Sequence, residues 1–414
     1  MKSRTIPPVV VKFISLLSLC WPKDRKRNLI TMITGLLILD GIRSISRISR
    51  EIAQKKEPSS LIKFVSQSPW YYEDLQVSAR TFQFQEALKN CSPGKMIKVF
   101  FSIDDRNLEK YKDSYDLSGF APLYDHVEKR YIWGRTFVTA HMTINDHSFF
   151  FGFYPYYSQK VRRSIKRENP QARFASKPTL ALWMIDSLKA LLDSRPDLSF
   201  FVIVLFDCEF AANRVLRKIH KYHYHFICGL KKNRKLDGKQ MKFYEQILTR
   251  QNFHREKVVI RGGKEQTFWV TSLSGHLKGF RPLVRVLMSK QSPRSSCRYY
   301  ATDLTALMDK SMLLLMMRRW DVEVDHLYLA QHCGMDDFEC RSDEAILKYL
   351  SLCAVSLSFA QWMNQKQERK ETLAETIRGL KKNFYSRNLK QALRMVQQNY
   401  PWDTIIRRFN ARAA

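Results

Sequence analysis

The spacing of apolar positions changes along the chain, and each change predicts a different kind of element. Over residues 1–92 the spacing is helical. Leu29, Ile30, Ile33, Leu36, Leu37 and Leu39 crowd one helical face until Gly41 interrupts it. The next stretch, IRSISRISREIAQK, opens on serines suited to cap a helix and carries Arg43, Arg47 and Arg50 along its length. Helix, glycine turn and basic helix is the outline of a helix-turn-helix. Residues 1–92 are therefore expected to form a helical DNA-binding domain with those arginines at the DNA. A plain helical bundle with a solvated basic face is the alternative.

From residue 96 the period shortens. MIKVFFSID is a β-rich run ending in acid, and RYIWGRTFVTAHMT and HSFFFGFY read as two more strands, joined by INDH as a hairpin. LALWMIDSLKALLDS returns to helical spacing. LSFFVIVLFD is a continuous apolar run, as a strand buried on both faces requires. FAANRVLRKIHK is a helix and YHYHFICGL a strand. Three strands, helix, strand, helix, strand is the order of a ribonuclease-H-like mixed sheet flanked by helices. Residues 230–300 change character again. A basic loop holds Lys231, Lys232 and Arg234, EKVVIRGGKEQTFWVTSL reads as a hairpin carrying Trp269, and FRPLVRVLMSK and CRYYATD are further strands. The expected fold class is thus α/β. A helical domain (1–92) precedes the first part of the core (93–229), a β-rich insertion (230–300) and the final core helices (301–362). A basic helical region (363–414) follows.

Charge narrows the function. Lys and Arg number 70 against 39 Asp and Glu, a net charge of +31 that is spread over the whole 414-residue chain. Self-repulsion on that scale suits a partner carrying a dense phosphate lattice, which releases counterions as it is neutralised. Hydrophobic residues make up 45%, enough for sizeable cores, so a disordered basic tail is excluded. The eight cysteines include no C-x-x-C pair, which argues against a zinc site and for reduced thiols in a cytoplasmic protein. VVVKFISLLSLC lacks a small-residue cleavage site, and NLITMITGLLILDG is too short to span a bilayer, so no membrane or secretory segment is expected.

Three acids stand where chemistry is possible. Asp104, or its neighbour Asp105, closes the first core strand, Asp207 closes the buried strand, and Glu323 lies on the helix after the insertion in RRWDVEVD. Carboxylate oxygens at adjacent strand ends suit Mg²⁺, and paired ions of that kind serve phosphoryl transfer without a protein nucleophile. Taken singly, each acid also fits a turn, a cap or a surface ion pair with Arg319.

The order of these motifs resembles bacterial insertion-sequence DDE transposases, of the superfamily named for insertion sequence four. The segments SIDDRNLEK, YDHVEKRYIWGRTFVT, VLFDCEFAANRVLRKI, YYATDLT, RRWDVEV and GMDDFECRSDEAI carry the likeness, with SPWYYEDL before them, over residues 20–362. The resemblance implies metal-binding acids at Asp104, Asp207 and Glu323, with Mg²⁺ as cofactor and Mn²⁺ able to replace it. Arg319 would then face a DNA phosphate, and Lys110 would be the basic residue after the first acid. The resemblance also implies double-stranded DNA as partner, both terminal inverted repeats and target, a homodimer on paired ends, and work at the bacterial nucleoid. Trp269 is considered as a stacking partner for an extruded base, and His126 as a neighbour of the metal site. The sequence departs from the family pattern at Arg106, Met316 and Ala330, where Thr, Tyr and Lys are usual. Two alternatives stay open: a related metal-dependent nuclease, and a transposase-derived DNA-binding protein without activity.

Overall fold

A computed structural model of the chain describes residues 6–52, 58–89, 91–92, 94–111, 117–125, 128–260, 263–367 and 371–409. Five helices come first: α1 (Pro8–Leu16), α2 (Lys23–Ile38), α3 (Ile45–Glu51), α4 (Pro58–Ser66) and α5 (Tyr72–Leu88). Ser44 caps α3 by accepting a hydrogen bond from the Arg47 amide. α2 and α3 meet closely at Gly35, where a Cβ would lie 2.5 Å from Cγ2 of Ile48.

The sheet begins with β1 (Met96–Glu109), β2 (Ala121–Asp125), β3 (Arg130–Ile144) and β4 (His147–Tyr156). The hairpin between β3 and β4 turns through Asn145, whose φ of 52° is a conformation that Asn tolerates. Helices α6 (Arg162–Glu168) and α7 (Lys177–Asp193) lead to β5 (Ser199–Phe206), α8 (Asn213–Lys221) and β6 (His225–Leu230). β3 runs antiparallel to β1 and to β4, whereas β1, β5 and β6 are parallel. The spatial order β4-β3-β1-β5-β6, with helices on its faces, fits the ribonuclease-H-like sheet expected from the sequence.

The basic loop after β6 contains a small ribbon, β7 (Lys235–Leu236) and β8 (Lys239–Gln240), turning through Asp237 and Gly238 at positive φ. After α9 (Met241–Ile247) come β9 (His254–Val259), β10 (Glu265–His276), β11 (Leu283–Lys290) and β12 (Arg298–Thr302). The strands expected of an insertion are present, and they extend the main sheet. β12 pairs antiparallel with β6, and the sheet continues β12-β11-β10-β9 to a total of ten strands.

The final helices are α10 (Asp309–Met317), α11 (Trp320–Cys333), α12 (Asp343–Gln365), α13 (Leu373–Gln397) and α14 (Trp402–Phe409). The single long helix expected after the insertion is broken at Arg318 and Arg319. There the amides of Arg318, Arg319 and Asp321 reach back only three residues, a tightened turn that redirects α11.

α12 is the axis of one core. By length and composition it could cross a membrane, yet 94% of its most apolar window is buried inside the protein. Phe13 of α1 and Phe82 of α5 pack their rings against Trp362 of α12, and Phe13 also meets Phe359. The helices expected as a separate N-terminal domain thus share one apolar cluster with α11 and α12. A second cluster lies between β1, β3–β6, α7 and α8.

Candidate active site

Sheet register brings the first two acids together. Ile103 of β1 pairs with Phe206 of β5 in parallel, so Asp104 and Asp207 are the next residues on neighbouring strands, at the same end. Strand alternation sends Asp104 and Asp105 to opposite faces. Phe100, Ser102 and Asp104 share the face under the α10–α11 joint. There Ser102 Oγ donates to the Arg318 carbonyl at 3.4 Å, and the Arg318 guanidinium stands 4.5 Å from the Phe100 ring centre. Arg319 donates to Asp104 through one terminal nitrogen and to Glu323, one helical turn on, through the other. Asp207 also acts on Arg319 electrostatically. Two acids remote in sequence are thus bonded to one guanidinium, and Asp207 stands at the adjacent strand end within its electrostatic reach. Glu323 also stands in the first turn of α11, where the helix dipole favours a carboxylate.

Asp105 belongs to a separate group on the other face. Lys177 Nζ, at the start of α7, donates to Asp105 at 2.8 Å and to Glu209 at 2.9 Å. Asp207 Oδ1 accepts from the Glu209 amide at 2.7 Å, which fixes the turn after β5. Burial pushes the Asp104 carboxyl up to about 7; Arg319 opposes the shift, and the Asp105 and Asp207 charges add to it. Asp105 is raised by burial against the pull of Lys177. Arg319 is raised in spite of burial, because Asp104 and Glu323 hold its proton.

A buried polar layer ties α11 to the sheet. His141 Nδ1 of β3 lies 2.5 Å from Asp325 Oδ2, and Gln361 Nε2 of α12 donates to Asp325 Oδ1 at 2.8 Å. His326 Nε2 lies 2.7 Å from Thr139 Oγ1, and burial pushes its ring down to about 3. Arg106, where the family pattern has Thr, bonds to the His326 carbonyl and the Asp336 carboxylate. His141, Asp325, His326 and Gln361 went unnoticed in the sequence. Only the acids and histidine crowded into DVEVDH hinted at them, and nothing marked His141 or Gln361 as their partners.

The donors suit a divalent ion chemically, since Asp104, Asp207 and Glu323 offer hard carboxylate oxygens. The expectation from the sequence is that the three acids share the same metal ions. Among the described residues no three His, Cys, Asp or Glu side chains form a group that could hold a metal. The side chain bonded to both Asp104 and Glu323 is Arg319.

A cavity of about 1060 Å³ opens beside Asp207 and Arg319, between the β10–β12 strands and the α10–α11 joint. Asp207, Lys232, Phe268, Tyr300, Met316 and Trp320 are among its lining residues. Trp269, the neighbour of Phe268, is stacked with Arg255 at 4.7 Å. Strand alternation turns it to the face opposite Phe268, so it is Trp320, 54% exposed, that offers an indole at the cavity.

The expected DNA contacts divide. Arg43 must be corrected. It is buried, and it donates to the Leu39 and Gln331 carbonyls and to Asp337, so it braces α2 against the α11–α12 turn. Lys110 is also occupied by the fold, donating to the Phe338 carbonyl at 3.0 Å above the Phe338 ring. Arg47 pairs with Glu51 at 2.7 Å. Arg50, Lys231 and Lys232 are exposed, whereas Arg234 is half-buried against Asn213. Ala330 lies within α11. His126 falls outside the described residues. All eight cysteines are free thiols.

Comparison with known families agrees with this layout. A model described as DDE superfamily endonuclease matches residues 16–251, and one described as transposase DDE domain matches residues 184–359. No curated protein matches the chain. The second match contains both Asp207 and Glu323, and the first spans more than half of the chain with Asp104 and Asp207 inside it. On this sheet, with these acids at one end of it, the chain belongs to the DDE superfamily of endonucleases and carries a transposase-type nuclease domain.

Proposed function

We propose that this protein is an insertion-sequence transposase that nicks DNA at transposon ends and joins the freed 3′-hydroxyl to target DNA. The observation that carries the proposal is that Arg319 bonds both Asp104 and Glu323, while strand register sets Asp207 beside Asp104. Asp104 and Asp207 are held by strand register, and Glu323 is held by α11 through Asp325 and His326. In this reading the three acids hold divalent metal, Mg²⁺ with Mn²⁺ able to substitute. When bound, the metal would supply Lewis acidity toward the phosphoryl oxygens. Arg319 balances the acids in the protein alone and is positioned to meet a DNA phosphate once they have another counter-charge. Lys177 keeps Asp105 on the far face, out of the ligand set. Lys231 and Lys232 follow β6 at the acid end of the sheet, where they can contact phosphate, and Arg47 and Arg50 are proposed contacts of the N-terminal helices. Two element ends must be handled together, so the working form is proposed to be a homodimer on DNA in the bacterial cytoplasm.

The test is incubation with candidate terminal-repeat duplex and Mg²⁺ or Mn²⁺. Cleavage followed by joining supports the proposal. Cleavage without joining points instead to a plain nuclease, and binding without chemistry to an inactive DNA-binding descendant. Asp207→Asn is expected to lower cleavage about a thousandfold, the scale of losing some 4 kcal/mol of transition-state charge stabilisation. An Asp207→Asn protein that cuts at the wild-type rate would refute the assignment.

A further inference from the structure

The link between β4 and α7 carries charge that the active site does not use. It begins where β4 ends beside Thr136, the β3 residue opposite Asn107 of β1. It finishes at Lys177, bonded to Asp105. Both ends of the link therefore lie at the acid end of the sheet. Between them, Gln159–Glu168 forms a three-residue turn continuous with α6. Val161 and Ile165, four residues apart, are buried and hold the segment against Ala121 and Tyr157. The α6 end is pinned as well, for Glu168 accepts from the Asp343 amide at 2.6 Å, and Asn169 donates to the Asp343 carboxylate at 3.0 Å.

That anchoring decides where the cations point. Arg173 is bonded to Glu73 and Lys177 to Asp105 and Glu209, so these serve the fold. Lys160, Arg163 and Arg167 are exposed, at steps of three and four residues, on the side away from Val161 and Ile165. Arg163 and Arg167 are one helical turn apart, about 6 Å along the axis. That separation is close to the distance between neighbouring phosphates of one DNA strand, so each arginine can meet its own phosphate.

We propose that Lys160, Arg163 and Arg167 form a phosphate-tracking strap that holds the DNA backbone flanking the scissile position. The inference rests on the transposase reading above, because it takes DNA to be the substrate. The strap gives position and affinity without reading bases.

The test measures affinity for an element-end duplex across a salt series from about 50 to 200 mM. It compares the wild-type protein with the triple variant Lys160→Ala, Arg163→Ala, Arg167→Ala. A control variant, Lys95→Ala, Lys98→Ala, Lys221→Ala, removes equal charge from exposed residues at the opposite end of the sheet. Each lost contact lowers the slope of log K against log salt by roughly 0.9, so the strap variant is expected to lose about two to three. The control is expected to keep the wild-type slope, and Asp207→Asn to bind with that slope without cutting. A strap variant with the wild-type slope, or a control that loses as much, overturns the strap alone. A wild-type protein that neither binds nor cuts overturns the strap and the functional reading together.

Discussion

At the residue scale, Asp104 shows a site at odds with stability. Its carboxyl sits near 7, against an ordinary 3.8. From about pH 4 to 7 the folded protein therefore keeps a proton that the unfolded chain has released. Stability from this group is present at low pH, is lost as pH rises through that window, and stays lost above it. Asp104→Asn should accordingly be more stable than wild type at pH 8 in metal-free buffer, by about 1–2 kcal/mol. That is well below about 1.4 kcal/mol per unit over the whole shift, because Asn also leaves the buried Arg319 guanidinium with one partner fewer. The advantage should shrink toward pH 4, and urea titrations at both pH values check the sign. A variant that is less stable at pH 8 would show that Arg319 outweighs the burial.

At the element scale, α11 decides whether Glu323 reaches the sheet. Its end depends on Gly334, at φ +70°, where a Cβ would lie 3.0 Å from Arg43 Cδ and from Asp337 Oδ2. Gly334→Ala should cost about 1–2 kcal/mol from the left-handed backbone alone, more if Arg43 must move, readable as a lower urea midpoint. Its start depends on the buried His141–Asp325 pair. His141→Phe removes one of the two partners of the buried Asp325 carboxyl and should cost about 1–3 kcal/mol. His141→Gln, which can still donate, should recover part of that stability and more of the cleavage rate. Equal losses from the two substitutions would mean that the pair does not position α11. Most elements were legible in the sequence because their periods are clean. The run of LSFFVIVLFD became β5, and the spacing of Leu180, Ile185 and Leu188 became α7. The break between α10 and α11 was not legible, because the residues on both sides favour helix and a tightened turn leaves no glycine or proline as a sign. Arg43 was misjudged because a basic residue after a glycine turn looks the same whether it meets phosphate or Asp337.

At the scale of the whole molecule, the sheet joins regions that composition kept apart. The strands of residues 254–302 read as an addition, yet β12 on β6 makes them part of one sheet, and the cavity by Asp207 and Arg319 needs both parts. The N-terminal helices likewise complete the core around α12. Long-range pairing of this kind has no local signature, whereas the acids at strand ends and the net positive charge could be read directly. The proposed chemistry depends on Asp104, Asp207 and Glu323 converging on divalent metal. Fe²⁺ can be loaded in place of Mg²⁺; added hydrogen peroxide is then reduced by the iron to hydroxyl radical, which cuts the polypeptide near the bound ion, while ascorbate returns Fe³⁺ to Fe²⁺. Scission is expected close to residues 104, 207 and 323 together, suppressed by excess Mg²⁺ and lost in Asp207→Asn. Scission that misses one of the three, or that persists unchanged in the variant, would contradict it.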